Sequence, residues 1–341
     1  MGALTGVGSV PHDNAQDAVT WVLRWCPVVP FVPQRSATSP AEAMINQVLT
    51  GLSAVSASLD GTVHGTIPEA ALRDPPHADL NGPEFESLRA FVDVLAPAGD
   101  VLAPAGSVAV GDGDTGEPIA AVKWQLAGPV TVGLALARAG LRPDAAMAFA
   151  QCLVQDTLIA VHALLGSRLP GMTQVMVLDE PSFALVTCPG FPVAPDVAID
   201  ALSTCLATLQ GRAVVGVHCC AEVDLAALLA AGPELLSVTV EAGRSATPEQ
   251  SVGAGHLARF IERGGTVAWG VVPTDRPIGE RSSRWWRELS TTWDDLTGFG
   301  LSRGELAARS LVTPACGLAL HTVDQADRVM ALAAAVASRI P

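Results

Sequence analysis

The chain has 341 residues, 49% of them apolar and 16% charged, and it contains no tyrosine. That balance excludes a disordered chain, and the length suffices for one large domain or two ordinary ones. Acidic residues outnumber basic ones by 34 to 20, a net charge of −14, and no basic cluster stands out. A nucleic-acid or anionic-membrane partner is therefore not expected.

The sequence opens without the charged-then-apolar pattern of a secretory signal, and no apolar run approaches the ~18 residues of a membrane span. Seven cysteines in such a chain are expected as free thiols or metal ligands in a reducing, cytoplasmic setting. Lysine occurs once, at Lys123, and reads as compositional bias.

In chain order, strands are predicted at Leu4–Pro11, Val28–Val32, Ala120–Gly128, Gln174–Asp179, Ala213–Cys219, Leu235–Glu241, Thr266–Val272 and Leu311–Cys316. They are rich in Val, Leu and Ala with little polar alternation, as strands buried on both faces are. Helical spacing marks Asn14–Cys26, Pro143–Leu165, Asp196–Leu209, Asp224–Ala231, Pro248–Glu262 and Gly304–Ser310. A last helix follows a capping box of Thr322 and Gln325 and carries Val329, Leu332, Val336 and Ile340 on one face. Alternating βα units of this number predict an α/β fold, a (β/α)8 TIM barrel spanning residues 1–341 as a single domain. The stretch of about 56–118 breaks the pattern with Pro and Gly clusters, a tandem VLAPAG (Val94–Gly99 and Val101–Gly106) and the turn-rich Gly111–Pro118. It reads as an insertion or hairpin excursion after the second strand region.

Some motifs carry little. Gly6 and Gly8 lack the third glycine of a dinucleotide fingerprint, and Asp112–Gly116 lacks the downstream glutamate of a calcium loop. His12, His64, His77, His162, His256 and His321 stand alone, without a ligand at metal spacing. Cys26, Cys152 and Cys205 lie in helical stretches and read as small core residues, and Trp285 and Trp286 read as packing or a lid.

The chemistry concentrates at strand ends. Val214-Val215-Gly216-Val217-His218-Cys219-Cys220 closes a buried strand in metal-ligand residues. Side chains two apart on a strand share a face, so His218 and Cys220 converge while Cys219 points away. The next strand ends in Glu241 and the last in Cys316. In a parallel barrel all such ends open on one rim, so His218, Cys220, Glu241 and Cys316 can gather around one ion, a donor set suited to Zn2+. Asp179 and Glu180 end another fully apolar run, and alternation lets only one of them face the mouth.

Taken in order, Gly8-Ser9-Val10-Pro11, Ala127-Gly128-Pro129-Val130-Thr131, Leu178-Asp179-Glu180-Pro181, His218-Cys219-Cys220, Val240-Glu241-Ala242-Gly243-Arg244-Ser245, Trp269-Gly270-Val271-Val272 and Pro314-Ala315-Cys316-Gly317-Leu318 resemble the C-terminal catalytic barrel of cobalamin-independent methionine synthase. That superfamily also includes uroporphyrinogen decarboxylase and corrinoid-dependent methyltransferases. The resemblance implies zinc ligation by His218, Cys220, Glu241 and Cys316, with Glu241 the ligand that loosens. It implies homocysteine as the acceptor, its amine on Asp179 and its carboxylate near Ser9. Where the family carries His-Ser-Pro with a proton donor, this chain has Pro273-Thr274-Asp275-Arg276-Pro277, and Asp275 is the candidate stand-in. The methyl donor stays open between methyltetrahydrofolate, methylcobalamin and a methyl-carrier corrinoid protein. The alternatives are alkyl transfer to another thiol such as coenzyme M, and a non-catalytic metal-bearing homologue that binds a methyl carrier.

Overall fold

The computed structural model describes residues 2–52, 54–96 and 119–341. The second VLAPAG copy, the latter half of the first and the Gly111–Pro118 turn lie outside the described residues.

The elements run β1 (Ala3–Leu4), α1 (Ala15–Trp25), α2 (Met44–Val48), β2 (Val55–Ala57), β3 (Val63–Gly65), α3 (Glu69–Arg73), α4 (Glu86–Leu95), β4 (Ala121–Ala127), α5 (Pro129–Arg138), α6 (Pro143–Arg168) and β5 (Thr173–Asp179). They continue α7 (Pro195–Ala207), β6 (Val214–His218), α8 (Leu225–Ala230), β7 (Leu235–Thr239), α9 (Pro248–Glu262), β8 (Thr266–Val272), α10 (Ser282–Thr297), α11 (Arg303–Ala308), β9 (Ser310–Pro314) and α12 (Val323–Ala337). Seven strands form one parallel sheet in the order β1-β9-β8-β7-β6-β5-β4, a curled half-barrel with TIM-like βα order. The parallel register aligns Ala127 with Asp179 and Asp179 with His218, so the chemistry-bearing strand ends lie side by side.

Strand alternation divides the core in two. Ala121, Val175, Val177, Leu235 and Ala268 form a small cluster of their own on the concave face, while the large cluster fills the space between strands and helices. Lys123 lies on the same strand face as Ala121, two residues on. It is fully buried, donating to Val7 O at 3.0 Å and Gln125 Oε1 at 2.9 Å, and burial pushes its pKa down to about 8. The single lysine is thus an interior group, which composition alone does not reveal.

The expected strand Val28–Val32 is not a regular one. Pro27, Pro30 and Pro33 lack the N–H that a ladder needs, so pairing survives only in patches. Ala120 N donates to Val28 O, Lys123 N to Pro30 O and Val32 N to Lys123 O. On the other side Gln34 N donates to Gly8 O and Val10 N to Gln34 O. Segment 28–34 therefore hydrogen-bonds both to β4 and to the chain just beyond β1.

The helices follow their sequence signals. Asn14 caps α1 by accepting from Asp17 N at 2.8 Å, and Thr322 with Gln325 forms the capping box of α12. The α5 helix, which is not among the predicted helices, packs against α6 and α7. Among the described helices α6, at 26 residues, is long and apolar enough to cross a bilayer, longer than the sequence reading allowed. It packs on α5 and α7 and buries Met147, Phe149, Leu153, Val154, Leu158 and Leu165. Trp285 and Trp293 of α10 are buried, which assigns that helix to packing. Cys26 and Cys205 are buried core residues as expected, but Cys152 is exposed.

The excursion begins as a hairpin, β2 with β3, and continues into α3 and α4. Buried Arg35 fastens it to the barrel by donating to Glu42 at 2.9 Å, Glu86 at 2.6 Å and Ser87 at 3.0 Å. These contacts hold the Ala43–Ile45 segment against the sheet's C-terminal end.

Candidate metal centre

Leu178 and the apolar run before it leave β5 with Asp179 and Glu180 at its end, and the two carboxylates part company. Glu180 turns under the N-terminus of α5. It accepts from Val130 N and Thr131 N, each at 2.8 Å, and from Thr131 Oγ1 at 2.7 Å. Burial outweighs those donors and raises its pKa to about 7. Asp179 turns the other way, into a cavity of about 420 Å³. Burial raises its pKa to about 6, against the lowering fields of His218 and Lys123, and its Oδ1 has no hydrogen-bond partner.

His218, Cys220 and Cys316 line the same cavity, and their ligand atoms all lie within 4.8 Å of one another. Cys316 Sγ donates to Cys220 Sγ at 3.5 Å. That S–H and the neighbouring His218 ring push the Cys220 thiol down to about 4, while the Cys316 thiol, which keeps its proton and donates it as a hydrogen bond to that thiolate, is pushed up. His218 Nδ1 lies 2.9 Å from Ser237 Oγ, an arrangement that fixes the ring; Nε2 is buried and without a hydrogen-bond partner. Tetrahedral zinc with bonds of ~2.3 Å to sulfur and ~2.0 Å to nitrogen sets its ligand atoms about 3.5–3.8 Å apart. The close thiol pair and the orphaned imidazole nitrogen fit such an ion.

Glu241, expected as the fourth ligand, is not brought to this group. β7 ends at Thr239 and a 3-10 turn over Val240–Gly243 follows, so the two-residue alternation assumed for Leu235–Glu241 stops before it reaches the carboxylate. The side chain is 57% exposed and lies 3.8 Å from Arg276. Cys219 points away into the large core, where burial pushes its thiol up to about 12.

Ser9 and Asp275 line the cavity with the three ligand residues and Asp179. Gly8 brings Ser9 there. Its φ of +151° suits glycine, and a Cβ would come within 2.6 Å of Gln125 Nε2 and 2.7 Å of Gln34 Oε1. Asp275 sits on the exposed loop after β8, at the rim. Sequence reasoning missed other parts of the wall, among them Gln34, Ser58 and Leu59, the latter two on the hairpin, with Met44, Leu320 and His321. None stands in a motif. His321, set aside as isolated, has a buried Nδ1 without a hydrogen-bond partner. Leu320 is 82% exposed at the mouth.

No protein-family profile matches the chain, and no curated protein does. Solved structures that the chain partly matches include a B12-independent methionine synthase from Shewanella sp. W3-18-1 in complex with selenomethionine, at 15% identity and a TM-score of 0.45. That alignment covers 64% of this chain and 61% of the other. A second is a putative vitamin-B12-independent methionine synthase from Listeria monocytogenes, at 11% identity and a TM-score of 0.45, covering 65% and 64%. The chain spans less than two thirds of either neighbour's length, so the likeness assigns no activity.

Proposed function

We propose that the chain is a zinc-dependent methyltransferase that moves a methyl group to a thiol, homocysteine by the sequence resemblance. The observation that supports it is the convergence of one imidazole, two thiols and a buried carboxylate on one cavity wall. His218, Cys220 and Cys316 would hold Zn2+ through three protein ligands and leave a position for a substrate sulfur, as catalytic zinc sites do. When bound, the metal supplies the Lewis acidity that keeps a thiol deprotonated at neutral pH. Glu241 stands outside this ligand set.

The protein's own groups orient the acceptor. Asp179, buried with an orphaned oxygen, meets the acceptor's ammonium, because a cation there satisfies a carboxylate that is otherwise penalised. Ser9 meets the acceptor carboxylate. Asp275, at the rim, delivers a proton to the departing methyl carrier. Segment 28–34 serves as the second strand of an eight-stranded ring, making residues 1–341 one (β/α)8 barrel with an excursion at about 56–118. A cytoplasmic setting would keep the thiols reduced.

The test is zinc-loaded protein with homocysteine and, in parallel, methyltetrahydrofolate, methylcobalamin and a methylated corrinoid protein. Methionine is measured by mass spectrometry and zinc–sulfur coordination by X-ray absorption. Thioether formation that disappears in Cys316→Ala, with a homocysteine-dependent gain in sulfur coordination, is expected. A wild-type chain that takes up no stoichiometric metal overturns the proposal.

A further inference from the structure

A second cavity, of about 830 Å³, lies beside the metal-centre cavity, bounded by the loop after β8 and by α12. Thr274, Asp275, Leu320 and His321 line both, so these four residues are the partition between the two spaces. The outer space is the larger. Its walls are mainly apolar, with Ile278 and Leu332 among them, while Arg276 and Arg328 are matched in number by Asp275 and Glu280. Balanced charge leaves size and apolar surface as the selecting features.

We propose that this outer cavity is the donor chamber: it seats the non-transferred part of a bulky, largely apolar methyl carrier, with the methyl presented across the Leu320–His321 partition. The proposal rests on the thiol methyltransferase reading of the neighbouring site. The acceptor's sulfur forms a bond to the methyl carbon as the bond from that carbon to the carrier breaks, and the electron pair departs with the carrier. The acceptor thiol's proton leaves separately, so atoms and charge balance. An acceptor of amino-acid size fits within 420 Å³ and has no need of a further 830 Å³. The partition also explains the exposure of Leu320, which a carrier's apolar body would cover.

Ala331 of α12 lines only the outer cavity and is exposed, so Ala331→Trp fills the chamber without reaching the metal-centre cavity. Two measurements on the zinc-loaded chain test the idea. In the first, binding of methyl 2-naphthoate, an unreactive apolar ester, is followed by fluorescence. Wild type should bind it, and Ala331→Trp should weaken binding by about tenfold or more at unchanged zinc content. In the second, homocysteine is methylated in single turnovers by methyl 2-naphthalenesulfonate or by iodomethane. The variant should slow the bulky ester by about tenfold or more and leave iodomethane within about twofold. Absent binding to wild type, undiminished binding to the variant, or equal slowing of both electrophiles overturns the donor chamber. Failure of the zinc-loaded wild type to methylate homocysteine from iodomethane faster than the metal-free protein sinks the methyltransferase reading instead. The naphthoate result then stands by itself as a statement about the cavity.

Discussion

Ser9 packs its hydroxyl into the space that a side chain at Gly317 would need, so that the first-strand and last-strand motifs fit only with glycine at 317. Leu318 N donates to Ser9 O at 2.8 Å and locks the two segments together two residues from Cys316. Gly317→Ala must push Ser9 away or tilt the Cys316 backbone. We expect metal affinity to fall about tenfold, with a loss of stability of about 1–3 kcal/mol from overpacking. Competition with a chromophoric chelator and urea unfolding measure the two. Unchanged metal affinity would show that the Ser9–Gly317 contact does not position Cys316.

Cys219 and Cys220 are adjacent and face opposite sides of β6's end. Cys220→Ser and Cys316→Ala should each abolish stoichiometric zinc uptake. Cys219→Ala should leave uptake intact and cost about 1 kcal/mol of stability, the ordinary price of a small core truncation. Metal analysis of the purified variants decides between them. Loss of zinc in Cys219→Ala to the same extent as in Cys220→Ser contradicts the orientation of both side chains.

Glu241→Gln should not change zinc content. Its carboxylate is mostly solvent-exposed, and its contact with Arg276 at 3.8 Å is a surface pair worth less than about 1 kcal/mol. Metal titration of the variant against wild type gives the answer. A weakening of zinc affinity by more than about tenfold would return Glu241 to the ligand set.

How far the site is legible in the sequence depends on how far strand periodicity extends. It reaches His218 and Cys220 because β6 stays regular to His218, and it allows only one of Asp179 and Glu180 at the mouth without saying which; the structure puts Asp179 there and turns Glu180 under α5. It fails at Glu241 because a 3-10 turn replaces the last two residues of the expected strand. Val28–Val32 was readable as a strand by its apolar run, but its prolines leave only isolated bridges. The hairpin, Met44 and Leu320 escape notice for a different reason. They reach the cavity through tertiary packing on the Arg35–Glu42–Glu86 cluster and the β9–α12 loop, and no local pattern encodes that.

Glu180 predicts a pH dependence of stability in the metal-free protein. Its pKa rises from 4.5 in the unfolded chain to about 7 in the fold, so the folded state binds the proton more tightly. The contribution is fully present below pH 4.5 and is lost as pH climbs toward 7. Asp179, raised from 3.8 to about 6, adds a loss of the same sign over its own range. Glu180→Gln keeps the shape while removing the charge. It should flatten the fall of unfolding free energy between pH 4.5 and 7, leaving the part due to Asp179. Urea denaturation at half-unit pH steps tests this, and a slope as steep as wild type in the variant removes Glu180 as its source.

Asp179→Asn isolates acceptor binding from metal binding. The carboxylate lines the cavity and its Oδ1 lacks a partner, yet it is not among the three residues whose ligand atoms cluster. Asparagine preserves size and removes the negative charge, so zinc content should stay at the wild-type value. Affinity for homocysteine should drop by about 10- to 100-fold, the scale of a charge-assisted hydrogen bond of about 1.5–3 kcal/mol. Affinity for 3-mercaptopropionate, a thiol with a carboxylate and no amine, should change by less than about threefold, because only an ammonium uses the charge at Asp179. Calorimetric titration of both thiols into zinc-loaded wild type and variant provides the comparison. An equal loss for the two thiols would mean that Asp179 shapes the cavity generally; a loss confined to homocysteine identifies its carboxylate as the amine's partner.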